Sequence, residues 1–450
     1  MKTLCEAIMD DYEIERRRPA SISGVQFGMD GALMGFVDRL LDDAGTGIAC
    51  VDCGEGLAEK LGAQDGLYTV FVRGEVKGEA VTREQVVQCV LRALDPEADD
   101  EALMALARDA GVRFLLTYID PVGEFPARET LRFAVMARFL AERWRAGLTP
   151  PRLVVAGESA AIGEEALRRL RRFGAEWHAG AAFDAWLGCM EMVPSLVDSL
   201  SFRADPVEAA RLCTRMNYQD AMIHLAEPYG LWAVEGDPNG LPAVKTDSLE
   251  KPLALKRRLF DAGLFVMGSV GPLRGDRTLS DCMKDEPLRD LLGHAVMDEI
   301  LPYAPFAREE AAPYLIECFA RYENTMNENR LSDACRGLIH LAQRAALPAI
   351  DACAARDGAP PRRLVTALSA MILLLSDTRM GPEGADTVVE GRAYPVRESP
   401  EVIAALGGLS SDMDAESLAY AVLSDSTLWN GRDLRRTEGL LDMVVADLAG

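Results

Sequence analysis

The sequence predicts an α/β protein in which an N-terminal domain on a mostly parallel sheet is followed by a mainly α-helical C-terminal domain. Three observations predict it. From residue 22 to about residue 155, short β-branched runs alternate with helical patterns, as in successive βα units. After Asp247 long helical periodicities take over and strand-like runs become few. Between the two lies a turn-rich segment, Glu235-Gly236-Asp237-Pro238-Asn239-Gly240-Leu241-Pro242, which reads as a linker and sets expected domains at 1–245 and 246–450.

In chain order, strands are expected at 22–27, 47–51, 67–72, 112–117 and 153–155, where Val, Ile, Leu and Phe cluster. The stretches 33–41, 100–110 and 130–145 repeat apolar residues every three to four positions, as amphipathic helices do. The same spacing predicts helices over 288–300, 314–322, 332–354 and 361–375. Neither an internal repeat nor a low-complexity tract interrupts the chain.

Composition narrows the function. A chain of 450 residues with 49% hydrophobic and 26% charged residues has a globular balance and length for two cores. No window approaches the eighteen or so apolar residues of a membrane span, and residues 1–18 are charged rather than signal-like, so a cytoplasmic protein with no membrane partner is expected. Ten cysteines without a spaced framework are expected to be reduced. The net charge of −23 speaks against nucleic acid as a partner, because phosphate binding draws on clustered Lys and Arg. The clusters at Arg16-Arg17-Arg18 and Arg168 to Arg172 read as solvated faces. His178, His224, His294 and His340 are too separated for a metal-ligand spacing, and Cys50 and Cys53 read as strand and loop residues rather than a redox pair. There is no serine-hydrolase elbow and no Walker loop.

Three places carry chemistry. Phe27-Gly28-Met29-Asp30-Gly31 ends the first strand before a helix, where a nucleotide-binding fold turns its backbone against a pyrophosphate. Gly28 suits the turn, whereas Asp30 puts a carboxylate where a second glycine would let phosphate approach. Asp52 follows the second strand, where an acidic side chain accepts hydrogen bonds from an adenosine ribose and favours NAD over NADP. In Lys256-Arg257-Arg258-Leu259-Phe260-Asp261-Ala262-Gly263-Leu264, positions i, i+5 and i+8 are read as one side of a helix, with a lysine base as the first of them. An ordinary lysine is protonated at neutral pH, so acting as a base requires burial or neighbouring cations such as Arg257 and Arg258.

Gln64-Asp65-Gly66-Leu67-Tyr68-Thr69, with Arg73-Gly74 after it, resembles a signature of the long-chain mannitol dehydrogenase family, in particular its tagaturonate reductase (altronate oxidoreductase) branch. Phe27-Gly28, Phe36-Val37-Asp38, Phe125-Pro126-Ala127, Glu158, Leu196-Val197-Asp198, Lys256, Met283-Lys284-Asp285, Arg321-Tyr322 with Asn324, and Leu347-Pro348 resemble further pieces in the same order. The resemblance implies a Rossmann-like first domain, a helical second domain, metal-independent hydride transfer with NAD, and a sugar-acid or polyol substrate. It implies Lys256 as general base, with Asp261 beside it on the catalytic helix. It implies Phe27 and Gly28 for the cofactor, joined by Asp52 from its place after the second strand, and Glu158, Asp198 and Arg321 for the substrate.

Departures fall at the chemistry. The family's K-x4-N-x2-H motif has Asp261 for the asparagine and Leu264 for the histidine, so the catalytic motif is degraded. Met34 and Ser199 stand where the family has arginines, and Asp120-Pro121-Val122-Gly123 does not reproduce its Thr-Glu-x-Gly loop. Three readings stand open. One is an NAD-dependent oxidoreductase acting on a hexuronate or polyol. The second is a catalytically degenerate relative that binds a sugar acid, a nucleotide or a partner subunit. The third is an altered, carboxylate-assisted chemistry through Glu158, Asp198 and Asp261.

Overall fold

The computed structural model describes residues 1–76, 78–175, 180–381 and 384–450, so His178 lies outside the described residues. The chain separates into two compact units. One combines Met1–Asp120 with Phe125–Leu253, the other Pro121–Glu124 with Ala254–Gly450.

The first unit is organised by an eight-stranded sheet. Its strands are β1 (Ile22–Phe27), β2 (Gly47–Val51), β3 (Val90–Leu94), β4 (Phe114–Tyr118), β5 (Arg152–Ala156), β6 (Met192–Asp198), β7 (Leu231–Glu235) and β8 (Val244–Thr246). They lie side by side in the order 3-2-1-4-5-6-7-8. Strands β1 to β6 pair in parallel, and β7 runs antiparallel to β6. The order 3-2-1-4-5-6 is that of a doubly wound dinucleotide-binding sheet, whose direction of winding reverses between β1 and β4. This is the Rossmann-like arrangement expected from the sequence. Two apolar layers cover the sheet. One includes Leu33, Val37, Tyr68 and Trp232, and the other Phe27, Leu115, Phe139 and Leu153.

Two expectations change. The run 67–72 belongs to Tyr68–Val76, which forms a hairpin with Glu79–Val87 in a separate four-stranded sheet. The third parallel strand is β3, a five-residue edge strand exposed at Arg92 that lacks the fully apolar run of a central strand. The segment 236–242 joins neighbouring strands β7 and β8 within the first unit.

The family-like pieces of this unit meet in its core. The Tyr68 hydroxyl donates to Asp38 Oδ2 at 2.8 Å. Gln64 Nε2 donates to Asp220 Oδ1 at 2.9 Å, and Thr69 N donates to Asp220 Oδ2 at 2.7 Å. Gly66 has φ 80°, and a Cβ there would lie 2.0 Å from the Val90 carbonyl oxygen, so glycine is required on both counts.

The second unit is mainly helical, as expected, with a three-stranded sheet over Arg379–Gly381, Gly384–Val389 and Arg392–Pro395. Helices Arg308–Glu323 and Arg362–Leu375 match their sequence patterns. The expected helix 332–354 is broken. Gly337 adopts φ 73° between Leu331–Ala334 and Leu338–Leu341, and a π-helical turn, Ala342–Ala346, precedes Leu347–Asp357. Among the described residues no helix is long and apolar enough to cross a membrane.

Candidate functional site

Sequence-predicted residues gather in one cluster in each unit. In the first, β1 ends at Phe27, fully buried and edge-to-face with Phe139, and the chain turns at Gly28 with φ 97°. A Cβ at residue 28 would lie 2.4 to 2.7 Å from the Arg132 guanidinium, so the missing side chain lets that cation reach the loop. The N–H groups of Leu33 and Met34 donate to the Asp30 carbonyl, so Asp30 opens the helix, while its carboxylate pairs with Arg132 Nη2 at 3.0 Å. The same nitrogen meets Glu55 Oε1 at 3.1 Å, and Arg132 Nη1 donates to the Tyr118 carbonyl at the end of β4. Arg132 is buried on helix Pro126–Arg145, and its Nε has no hydrogen-bond partner. Burial, followed by the charge of Asp30, pushes the Glu55 carboxyl up.

Asp52 organises the next turn. Its Oδ1 accepts from the backbone N–H groups of Gly54, Glu55 and Gly56 at 2.9, 2.7 and 3.1 Å, and its Oδ2 from those of Leu57 and Ala58. Burial works to raise this carboxyl, but the N–H donors outweigh it and hold the group below its ordinary value. The carboxylate is thus spent on the loop that carries Glu55. Glu158 follows β5, and Asp198 ends β6, buried, with the Tyr229 hydroxyl 3.5 Å from Oδ2.

These residues fit a dinucleotide in three respects. The winding reverses beside Gly28, the glycine turn is intact, and a buried guanidinium with an unpartnered N–H lies against the loop. Asp30 opposes the fit by its charge, and its pairing with Arg132 offsets that charge.

In the second unit, Lys256–Asp261 is a π-helical turn between helices Glu250–Leu255 and Ala262–Val270. Residues five apart in an α-helix stand about 140° apart around the axis. The wider π-turn closes that gap, so the expected alignment of 256 with 261 comes from the π geometry rather than from a regular helix. Lys256 Nζ donates to Asp261 Oδ1 at 2.7 Å, and both residues are buried. Arg344 Nε lies 3.3 Å from Asp261 Oδ2. Carboxylate 261 is therefore held between two cations, Lys256 and Arg344.

Phe260 lines the same turn. The Arg321 guanidinium lies over its ring, 3.5 Å from the centroid, and Lys256 Nζ is 6.0 Å from the centroid. Tyr322 stacks on Phe260 and donates to its carbonyl at 2.7 Å. Gly263 makes room, since a Cβ there would lie 2.3 Å from the Tyr322 hydroxyl. Leu264 is buried. Within this unit, Lys256, Asp261 and Arg321 thus surround a single turn.

Sequence reasoning missed Arg132, Glu55 and Arg344. Arg132 had a signal, because it continues the buried stripe of Met136 and Leu140 at helical spacing, where an arginine needs partners. Arg344 sits in an alanine-rich run without comparable emphasis. Of the remaining sequence features, Met34 is wholly buried and its carbonyl accepts from Tyr68, while Ser199 donates to the Tyr229 carbonyl. The basic cluster at 16–18 is spent on carboxylates, with Arg16 on Asp10, Arg17 on Asp42 and Arg18 on Glu6. No group of His, Cys, Asp and Glu suited to a metal occurs among the described residues.

No protein-family model matches the chain. Curated relatives are altronate oxidoreductases. That of Klebsiella pneumoniae (strain 342) is 28% identical, with 94% of this chain and 93% of the relative covered. That of Halalkalibacterium halodurans is 26% identical, with 94% and 90% covered. Among solved structures, Pseudomonas fluorescens mannitol 2-dehydrogenase in ternary complex with NAD and D-mannitol superposes with a TM-score of 0.79 at 16% identity, covering 100% of this chain and 96% of that one. A D-sorbitol dehydrogenase in substrate-free form gives 0.71 at 16% identity, covering 99% and 97%. Similarity along nearly the whole sequence and a shared fold agree, and both fit the mannitol dehydrogenase family.

Proposed function

We propose that this chain is an NAD-dependent oxidoreductase acting on a hexuronate or a polyol, with Lys256 exchanging the proton of the substrate hydroxyl. The observation that carries the reading is Lys256 Nζ, buried and hydrogen-bonded to Asp261, at the position of the base in the family's motif. Relatives named altronate oxidoreductase, matched over 94% of the chain, support a sugar acid as the substrate class.

NAD, when bound, supplies or accepts the hydride. The Gly28 turn, Arg132 and the loop tied down by Asp52 would hold it, with Phe27 packing beneath the turn. Lys256 donates a proton to the new hydroxyl in reduction and takes one in oxidation. Asp261 orients the amine. A carboxylate here opposes an alkoxide that an amide N–H would stabilise, and Arg344 on its far oxygen offsets part of that opposition. Glu158, Asp198 and Arg321 are assigned to the substrate, Arg321 as the cation for a sugar-acid carboxylate.

A second reading, a binding protein without turnover, is favoured by one observation. Both oxygens of the residue in the asparagine position are occupied by cations, so nothing at that position donates to an oxyanion. Titration of the purified protein with NADH, followed by NADH-dependent reduction of tagaturonate and related keto-acids and ketoses, separates the two. Absence of NADH binding overturns the oxidoreductase reading. Binding without turnover on any of these substrates favours the second.

A further inference from the structure

The Gly28 loop contains an arrangement that a bare glycine turn does not need. Arg132 is anchored at its helix and through Nη1 at the Tyr118 carbonyl, and its remaining nitrogens face the loop. One carries two carboxylate contacts, from Asp30 and Glu55, and Nε carries none. A buried guanidinium with an unsatisfied N–H is costly unless another acceptor completes it. The carboxylates differ in freedom. Glu55 is tied by its other oxygen to the Cys53 N–H and is nearly buried, whereas Asp30 is about a quarter exposed and leaves by rotating its side chain.

We propose that Arg132 is the phosphate-binding residue of this loop and that Asp30 is its internal competitor, a carboxylate that occupies the guanidinium until the pyrophosphate of a dinucleotide displaces it. The proposal rests on the reading that the chain binds NAD. With Asp30 in place, the set of Arg132, Asp30 and Glu55 has no net positive charge to offer a dianion. With Asp30 turned away, only Glu55, whose carboxyl is pushed up by burial, still opposes the Arg132 charge, and that guanidinium faces the phosphates. The site thus trades an open cradle for a closed one whose cofactor affinity is reduced by the work of expelling a carboxylate.

The test is NADH affinity by fluorescence titration for the native chain, Asp30→Asn, Arg132→Lys and the double variant. Asp30→Asn is expected to tighten NADH binding about tenfold, the scale of one removed charge at partly screened distance. Arg132→Lys is expected to weaken binding, and the gain from Asp30→Asn is expected to disappear in the double variant. Equal affinity of the native chain and Asp30→Asn overturns the proposal while leaving the NAD reading standing. The same gain in both arginine and lysine backgrounds also overturns it. If neither the native chain nor Asp30→Asn binds NADH, the NAD reading falls and takes the proposal with it. Should Arg132→Lys fail to fold, the comparison of Asp30→Asn with the native chain decides alone.

Discussion

Replacing Asp38 by asparagine should abolish a pH dependence of stability that the native carboxyl builds into the first unit. Asp38 is wholly buried at the start of helix Asp38–Asp43, its Oδ2 accepting from Tyr68 and its Oδ1 without a hydrogen-bond partner. Burial pushes its carboxyl up to about 7. In an unfolded chain an aspartate titrates near about 3.9. Between those values the native state holds a proton that the unfolded state has released. The contribution to stability is therefore complete below the unfolded value and is lost as pH rises through the folded one. From pH 5.5 to 8 the loss amounts to about 2 kcal/mol. Asparagine keeps an acceptor for the Tyr68 hydroxyl and carries no titrating proton. Urea unfolding followed by tryptophan fluorescence at both pH values should show the stability of Asp38→Asn, relative to the native chain, rising by about 2 kcal/mol on going to pH 8. Glu398, pushed up to about 8 by burial, tilts both proteins the same way and cancels in the difference. Parallel pH profiles for the two proteins would refute the reasoning.

Lys256→Ala should abolish whatever reductase activity the native chain has, measured as NADH consumption, and an unchanged rate would show that the lysine is misassigned. The pair Asp261→Asn and Leu264→His should raise reductase turnover about a hundredfold, the scale of one restored oxyanion donor, as read from kcat in the same assay. Gly66→Ala should lower stability by about 2 kcal/mol or more, because both φ 80° and the Val90 carbonyl exclude a side chain, and a urea midpoint equal to that of the native chain would contradict this.

Much of the architecture was legible because periodicity reports burial. Strand β2 is a fully buried central strand whose apolar run reports its limits directly, and β1 is a central strand buried over its last four residues. Strand β3 was not legible, since Val90–Leu94 is short and the exposed Arg92 interrupts its apolar residues. The π-turns were invisible for a different reason. An extra residue in a helical turn shifts register without altering composition, so 256–261 read as ordinary helix. In the two candidate clusters, Gly28, Asp30 and Asp52 of the first unit and Lys256 and Asp261 of the second were each identifiable by type and position. Their partners were not, because Arg132 lies 102 residues from Asp30 in sequence and Arg344 lies far beyond Asp261. The Asp52 carboxylate looked available to a ribose in sequence, yet five backbone amides claim it.

The turn that carries Lys256 has an evolutionary corollary. Aspartate and asparagine have the same shape, differing by one terminal atom, and their codons differ at one base. The backbone at 261, clamped by Tyr322 on the neighbouring carbonyls, has no stake in which of the two it displays. A lineage can therefore switch this position between hydrogen-bond donor and acceptor in one mutational step, without rebuilding the helix, and switch it back as readily.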